Sequence, residues 1–121
     1  MFYTSYFAKL NKIPQGYIPI AICAKKPDFY NGLIYKRLAP PYDILMKYKQ
    51  DNNIKDYLVG YNDKVLHQLN PDVIASELRE LAGGAENIVL LCYEKSDSFC
   101  HRHIVANWFN NNGIKCEELK V

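Results

Sequence analysis

From Asn70 onward the chain alternates helix, strand, helix, strand, and this order constrains the fold more than any other feature. Asn70-Pro71-Asp72 starts a helix, with Asn70 as cap and Pro71 as its first residue. Val73, Ile74, Leu78 and Leu81 make its apolar face, and Gly83-Gly84 ends it. Residues 88–93 read as a strand. A helix from about 99 to 111, capped by Asp97 or Ser98, carries Ile104, Val105, Trp108 and Phe109 on one face. Gly113 stops it, and residues 114–119 read as the last strand. Helices between neighbouring strands imply right-handed crossovers and a mostly parallel sheet.

The first half supplies two more strands, at residues 2–7 and 18–23. The second is apolar on both faces, as a central strand covered by helices would be, although Pro19 cannot donate to a ladder. Residues 25–41, with Pro27, Gly32, Pro40 and Pro41, read as irregular, and connections of this length are often functional. A helix to about Gln50 follows, then an interruption at Asp51-Asn52-Asn53. A longer helix spans 54–69, with Ile54, Leu58, Tyr61, Val65 and Leu69 expected on its buried face. The expectation is a single α/β domain over residues 1–121, with a mostly parallel four-stranded sheet and helices on both faces.

Composition narrows the function. A net charge of +2, with lysines spread along the chain, does not suit duplex nucleic acid. No apolar run is long enough to span a bilayer, and Met1-Phe2-Tyr3 does not open a secretory signal, so a cytoplasmic setting is expected. Cys23, Cys92, Cys100 and Cys116 are accordingly expected as thiols. The ten tyrosines read as core-edge packing, or as the lining of a pocket for a planar ligand.

Reactive groups concentrate between Cys92 and His103, at one strand–loop–helix junction. In open parallel sheets ligands bind beyond the carboxyl ends of the strands. Cys92 and Glu94 lie at such an end, with Ser5 and Tyr6 near another and Lys25 after a third. Cys100, His101 and Arg102 open the helix, where free N–H groups and the dipole favour anions and lower a thiol pKa. Arg102 can grip phosphate or carboxylate in two-point fashion. Glu94 reads as an acid or base, or as a partner that orients His101 or pairs with Arg102. His101 and His103, two apart, point in different directions. Cys23 and Cys116 read as small buried hydrophobes. Seven residues separate Cys92 from Cys100, which is poor spacing for a zinc knuckle, and no metal or cofactor is expected. Phosphate-loop, dinucleotide and nucleophile-elbow patterns are missing.

The run from Val89 to Lys95, then Cys100-His101-Arg102, Val105-Ala106 and Gly113, resembles the signature of the domain of unknown function 488 family. That signature is an apolar strand ending in Cys-x-Glu, a short loop, and Cys-His-Arg opening a helix. Residues 2–6 further resemble the family's opening strand, and residues 35–40 and 61–69 resemble a short branch common in bacteria and phages. The resemblance implies a compact Rossmann-like domain and a site at Cys92, Glu94, Cys100, His101 and Arg102. Many members carry Asp-x-Arg after the second strand; here Cys23-Ala24-Lys25 stands there, keeping a positive charge and no carboxylate.

Three functions fit these residues. The first is a site for an anionic, nucleotide-like small molecule, with Cys92, Glu94 and Cys100 as catalytic candidates and His101, Arg102, Ser5, Tyr6 and Lys25 as ligand contacts. The second is redox or sulfur-transfer chemistry on Cys92 and Cys100. The third is a polar cluster that only braces the loop.

Overall fold

The computed structural model describes residues 1–94 and 99–121. Five strands, β1 (Phe2–Tyr6), β2 (Tyr17–Ala21), β3 (Leu33–Ile34), β4 (Asn87–Cys92) and β5 (Cys116–Glu118), form one parallel sheet in the order β3-β2-β4-β1-β5. Among the described residues four α-helices accompany it: α1 (Tyr42–Asp51), α2 (Ile54–Lys64), α3 (Pro71–Leu81) and α4 (His101–Asn111). The result is a small Rossmann-like α/β fold.

Strand β4 lies at the centre, paired with β2 from Tyr17–Asn87 to Ala21–Leu91 and with β1 from Phe2–Ile88 to Tyr6–Cys92. Its side chains alternate between the two faces, and both faces are covered, so Ile88 to Cys92 are all buried. Ile88 and Leu90 join Phe2, Ile20 and the buried hydrophobic residues of α1–α4 in the larger core layer. Val89 and Leu91 join Phe7, Ala21, Cys23 and Tyr30 in a smaller layer on the other face. Helices thus cover both faces, the smaller layer's share being a 3-10 helix at Phe7–Lys12.

The order of the strands matches this division. From β1 to β2 to β3 the chain moves one way along the sheet, through segments that feed the smaller layer. From β3 to β4 and from β4 to β5 it moves back, through helices that feed the larger layer. Opposite directions over opposite faces keep a single crossover hand. Because β4 exits to one face while β1 and β2 exit to the other, a crevice opens beyond its carboxyl end.

The sheet has five strands where four were expected. The additional strand, β3, is only two residues long and lies within the segment read as irregular. Two residues cannot display an alternating pattern. The strand is held instead by tertiary bonds: Tyr35 N–H donates to the Ala21 carbonyl (2.8 Å) and the Tyr30 hydroxyl to that of Leu33 (2.7 Å). Its shortness also accommodates Pro19. Ile22 N–H donates to Leu91 on the β4 side, so by alternation the nitrogen of Pro19 faces the β3 side. There the ladder begins only at Ile20, and no bond is lost.

The helices differ in detail from expectation. Asn70 caps α3, its Oδ1 accepting from the N–H groups of Asp72 (2.9 Å) and Val73 (3.3 Å). Helix α2 stops at Lys64, and a 3-10 turn at Leu66–Gln68 follows. Its buried stripe is Tyr57 and Tyr61, continued by Val65 and Leu66, while Ile54 (45% exposed) and Leu58 (37%) face outward. Tyr61 anchors this orientation, donating its hydroxyl to the Leu38 carbonyl (2.6 Å) in the core. Val73 and Leu81 of α3 are likewise exposed, and Ile74, Ala75 and Leu78 are the buried set. Helix α4 begins at His101, so Cys100 is the cap residue and not part of the first turn. Asp97 and Ser98, the expected caps, lie outside the described residues.

Candidate functional site: a sulfur and imidazole cluster under a cavity

Cys92 is the last residue of β4, on the face packed by the helices; Cys100 is the N-cap of α4 and His101 its first residue. The end of a strand and the start of the next helix therefore bring three donor groups together. The sulfurs of Cys92 and Cys100 are joined as a disulfide, with their Cα atoms 7.2 Å apart. This corrects the expectation of four thiols. Composition addresses the compartment, whereas the meeting of a strand tip with a helix cap is decided by topology. Cys23 and Cys116 are free and buried.

His101 is 4% exposed, and its bonds assign its tautomer. Nε2 lies 2.7 Å from the Ile22 carbonyl, which can only accept, so Nε2 carries the hydrogen. In the neutral ring Nδ1 is then a bare lone pair. It faces sulfur, 3.3 Å from Cys92 Sγ and 3.8 Å from Cys100 Sγ. Burial holds the imidazole pKa down to about 4, the Arg102 and His103 charges add to this, and the Ile22 bond opposes it. Tyr61 packs edge-on against the ring at 5.7 Å.

Above this cluster lies a cavity of about 420 Å³. Cys92, Cys100 and His101 border it. Tyr48, Tyr57 and Phe99 form an aromatic wall, with ring centroids 4.9–5.5 Å apart. Burial, then the Glu94 charge and Tyr48, raise the Tyr57 pKa, so its phenol stays neutral. The exposed side chains of Lys25, Lys49 and Glu94 also line the cavity. Cys23 borders it too, its thiol pKa pushed up by burial.

Other expected site residues lie elsewhere. Arg102 is fully buried and turns away from the cavity. Its Nε and Nη2 donate to Glu118 Oε1 and Oε2, each at 3.2 Å, and its Nη1 donates to the Glu94 backbone carbonyl. Its guanidinium covers the ring of Tyr6 at 5.5 Å, which accounts for Tyr6 as packing. Ser5 is buried at a β1 position facing the smaller core layer, and its hydroxyl has no partner among the described residues. Glu94 meets Arg102 through its carbonyl and not its carboxylate. Of the expected site residues, the structure gathers Cys92, Glu94, Cys100, His101 and Lys25 around one cavity and sends Arg102, Ser5 and Tyr6 elsewhere.

Sequence reasoning missed Tyr48, Lys49, Tyr57 and Phe99. The surplus of tyrosine was their signal, but it pointed to no position. The adverse spacing of Cys92 and Cys100 also concealed a compact donor set: one atom each from Cys92, Cys100 and His101, all within 4.8 Å of one another.

Among the described residues no helix is long and apolar enough to cross a membrane. Neither a curated protein nor a solved structure matched the chain. A family model, DUF488-N3a, described as the active DUF488-N3 subclade, matches residues 18–113 of the 121. The match runs from β2 to the end of α4 and includes Cys92, Glu94, Cys100, His101 and Arg102. On that match the chain belongs to the DUF488 family, as a member of its DUF488-N3a group.

Proposed function

We propose that the protein binds an anionic, nucleotide-like small molecule in the cavity beyond β4, with Cys92, Cys100 and Glu94 as the groups able to act on it. The make-up of the cavity carries this reading. An aromatic wall suits a planar ring system, and Lys25 and Lys49 suit a phosphate or carboxylate. The volume of about 420 Å³ is of the order that small-molecule pockets take. Arg102, expected as the phosphate clamp, is a positioning residue in this reading: it fixes the start of α4 and the carbonyl of Glu94.

The test compares nucleoside mono-, di- and triphosphates with their parent nucleosides as stabilisers against heat. A bound compound raises the melting temperature in proportion to concentration over Kd. Phosphorylated members are expected to stabilise and nucleosides to do so less. Replacing both Lys25 and Lys49 with Ala is expected to weaken binding about tenfold or more, at roughly 1.5–3 kcal/mol for a hydrogen bond to a charged group. A panel with no stabilising member overturns the reading.

One observation favours a second reading, thiol chemistry. The two sulfurs are within bonding reach, and bare His101 Nδ1 faces the Cys92 sulfur at 3.3 Å. Oxidation of the two thiols releases two protons and passes two electrons to an acceptor, such as a disulfide substrate. If the pair cycles, reduced protein will transfer these electrons to a small disulfide and Cys100→Ser will not.

A further inference from the structure

We infer that Cys92, Cys100 and His101, once reduced, are the protein ligands of a divalent cation of the zinc class, its fourth position open to the cavity. The three donor atoms already lie within 4.8 Å of one another. His101 is set as a metal-bound histidine is set: one ring nitrogen holds a backbone carbonyl through its hydrogen, and the other presents a lone pair to the remaining donors. Two thiolates on one zinc, with bonds of about 2.3 Å, stand further apart than bonded sulfurs, and a Cα separation of 7.2 Å accommodates them.

Charge and burial agree with this. Cys92 and Cys100 are each under 5% exposed, and two thiolates so buried require compensating positive charge. The guanidinium of Arg102 is already committed to Glu118. A dication balances both thiolates at once. Among the described residues three protein ligands stand beside an accessible cavity, which is the pattern of a catalytic site, whereas a structural zinc is closed by four. There an ion would polarise a phosphoryl or carbonyl oxygen of the bound molecule, near the Glu94 carboxylate. Donors from a strand tip, a helix cap and the adjacent helical residue leave no knuckle spacing in the chain, which is why residue spacing argues against metal.

Two equivalents of a small-molecule thiol reduce the disulfide to two cysteines and are themselves joined as a disulfide. The cation then displaces one proton from each cysteine, so two protons leave per ion bound, and the imidazole enters neutral. The open fourth position rests on the cavity described above, but the test uses metal alone.

Protein reduced with excess thiol, freed of it and of metal under anaerobic conditions, is titrated with Co²⁺. The expected result is saturation at one ion per chain, with thiolate-to-cobalt charge transfer and the intense d–d bands of four-coordinate cobalt. Zn²⁺ should bleach these one for one. Cys92→Ser and His101→Gln should each weaken binding at least tenfold, and Cys116→Ser, remote from the cluster, should not. Weak six-coordinate bands alone, or an unchanged spectrum in both ligand variants, overturn the inference. Should those variants fail to fold, X-ray absorption of the zinc-loaded wild type decides: two sulfurs and a nitrogen around the ion support it, and a shell without sulfur overturns it. A protein that binds nucleotides yet gives no cobalt–thiolate spectrum loses the metal and keeps the ligand reading; the reverse result does the opposite.

Discussion

Arg102 and Glu118 grip each other at two points, Nε to Oε1 and Nη2 to Oε2, both at 3.2 Å. The arginine side chain is fully enclosed, and that of the glutamate is 26% exposed. Thr4 adds its hydroxyl to the same carboxylate at 2.6 Å. The first turn of α4 is thereby tied to β5 and β1, and through the Glu94 carbonyl to the chain leaving β4. Cys92 lies two residues before Glu94, and Cys100 and His101 directly precede Arg102, so the pair steadies the chain on both sides of the cluster without lining the cavity.

Removing one member of such a pair strands its partner. Arg102→Ala is therefore expected to cost about 3–5 kcal/mol, as breaking a buried ion pair does. Arg102→Lys should recover only part, because an ammonium cannot make the two-point contact. Urea denaturation of the three proteins measures this. Destabilisation below about 1 kcal/mol, the range of exposed pairs, would show that the contact carries little.

His101 makes stability depend on pH. Its pKa is about 4 in the folded chain against an ordinary 6.5. Between these values the unfolded chain binds a proton that the folded one refuses, so stability is full above about pH 6.5 and falls toward pH 4. The loss should reach on the order of 3 kcal/mol across that window, at about 1.4 kcal/mol per pKa unit. Oxidised, chelator-treated protein unfolded in urea at a series of pH values should show this slope, and His101→Gln should flatten it. The range from pH 6.5 to 5 is the informative one. Asp43, Asp51 and Glu77, whose pKa values are lowered by hydrogen bonds, add their own loss only at lower pH.

Tyr61 offers a simpler test of the core. Its buried hydroxyl donates to the Leu38 carbonyl at 2.6 Å. Tyr61→Phe keeps the ring and leaves that carbonyl unpaired, at an expected cost of about 1–3 kcal/mol. A shift in the urea midpoint with unchanged slope is the predicted signature. A neutral result would mean that water replaces the hydroxyl.

Local signals in the chain suffice where local physics decides. The Asn70-Pro71 start of α3 and the apolar centre of β4 depend on residues close in sequence, and both stand as expected. The meeting of Cys92, Cys100 and His101 was legible for a related reason: a strand tip and the next helix start are neighbours in any parallel sheet. What escaped was set by distant partners. Strand β3 exists because Tyr35 and Tyr30 bond to β2 and to Leu33. The buried face of α2 follows the Tyr61–Leu38 bond and not the aliphatic spacing of Ile54 and Leu58. Arg102 reads locally as a ligand contact because its partner, Glu118, lies sixteen residues on, in β5.

Asn70 tests the local side of that contrast. Its side chain satisfies the N–H groups of Asp72 and Val73. Asn70→Ala should cost about 1 kcal/mol, within the range of lost helix caps, and Asn70→Asp should cost little. Thermal unfolding of the two variants measures the difference. Equal melting temperatures would remove the cap from the explanation of α3.

The proposed ligand occupies the cavity over Cys92, Cys100 and His101. Difference electron density from crystals grown with the phosphorylated compound that stabilises most tests it directly. The expected density shows a ring system against the Tyr48–Tyr57–Phe99 wall, an anionic group within hydrogen-bond reach of Lys25 or Lys49, and a ligand atom in contact with a sulfur of the cluster. Density for the compound at another surface, with this cavity empty, would contradict it.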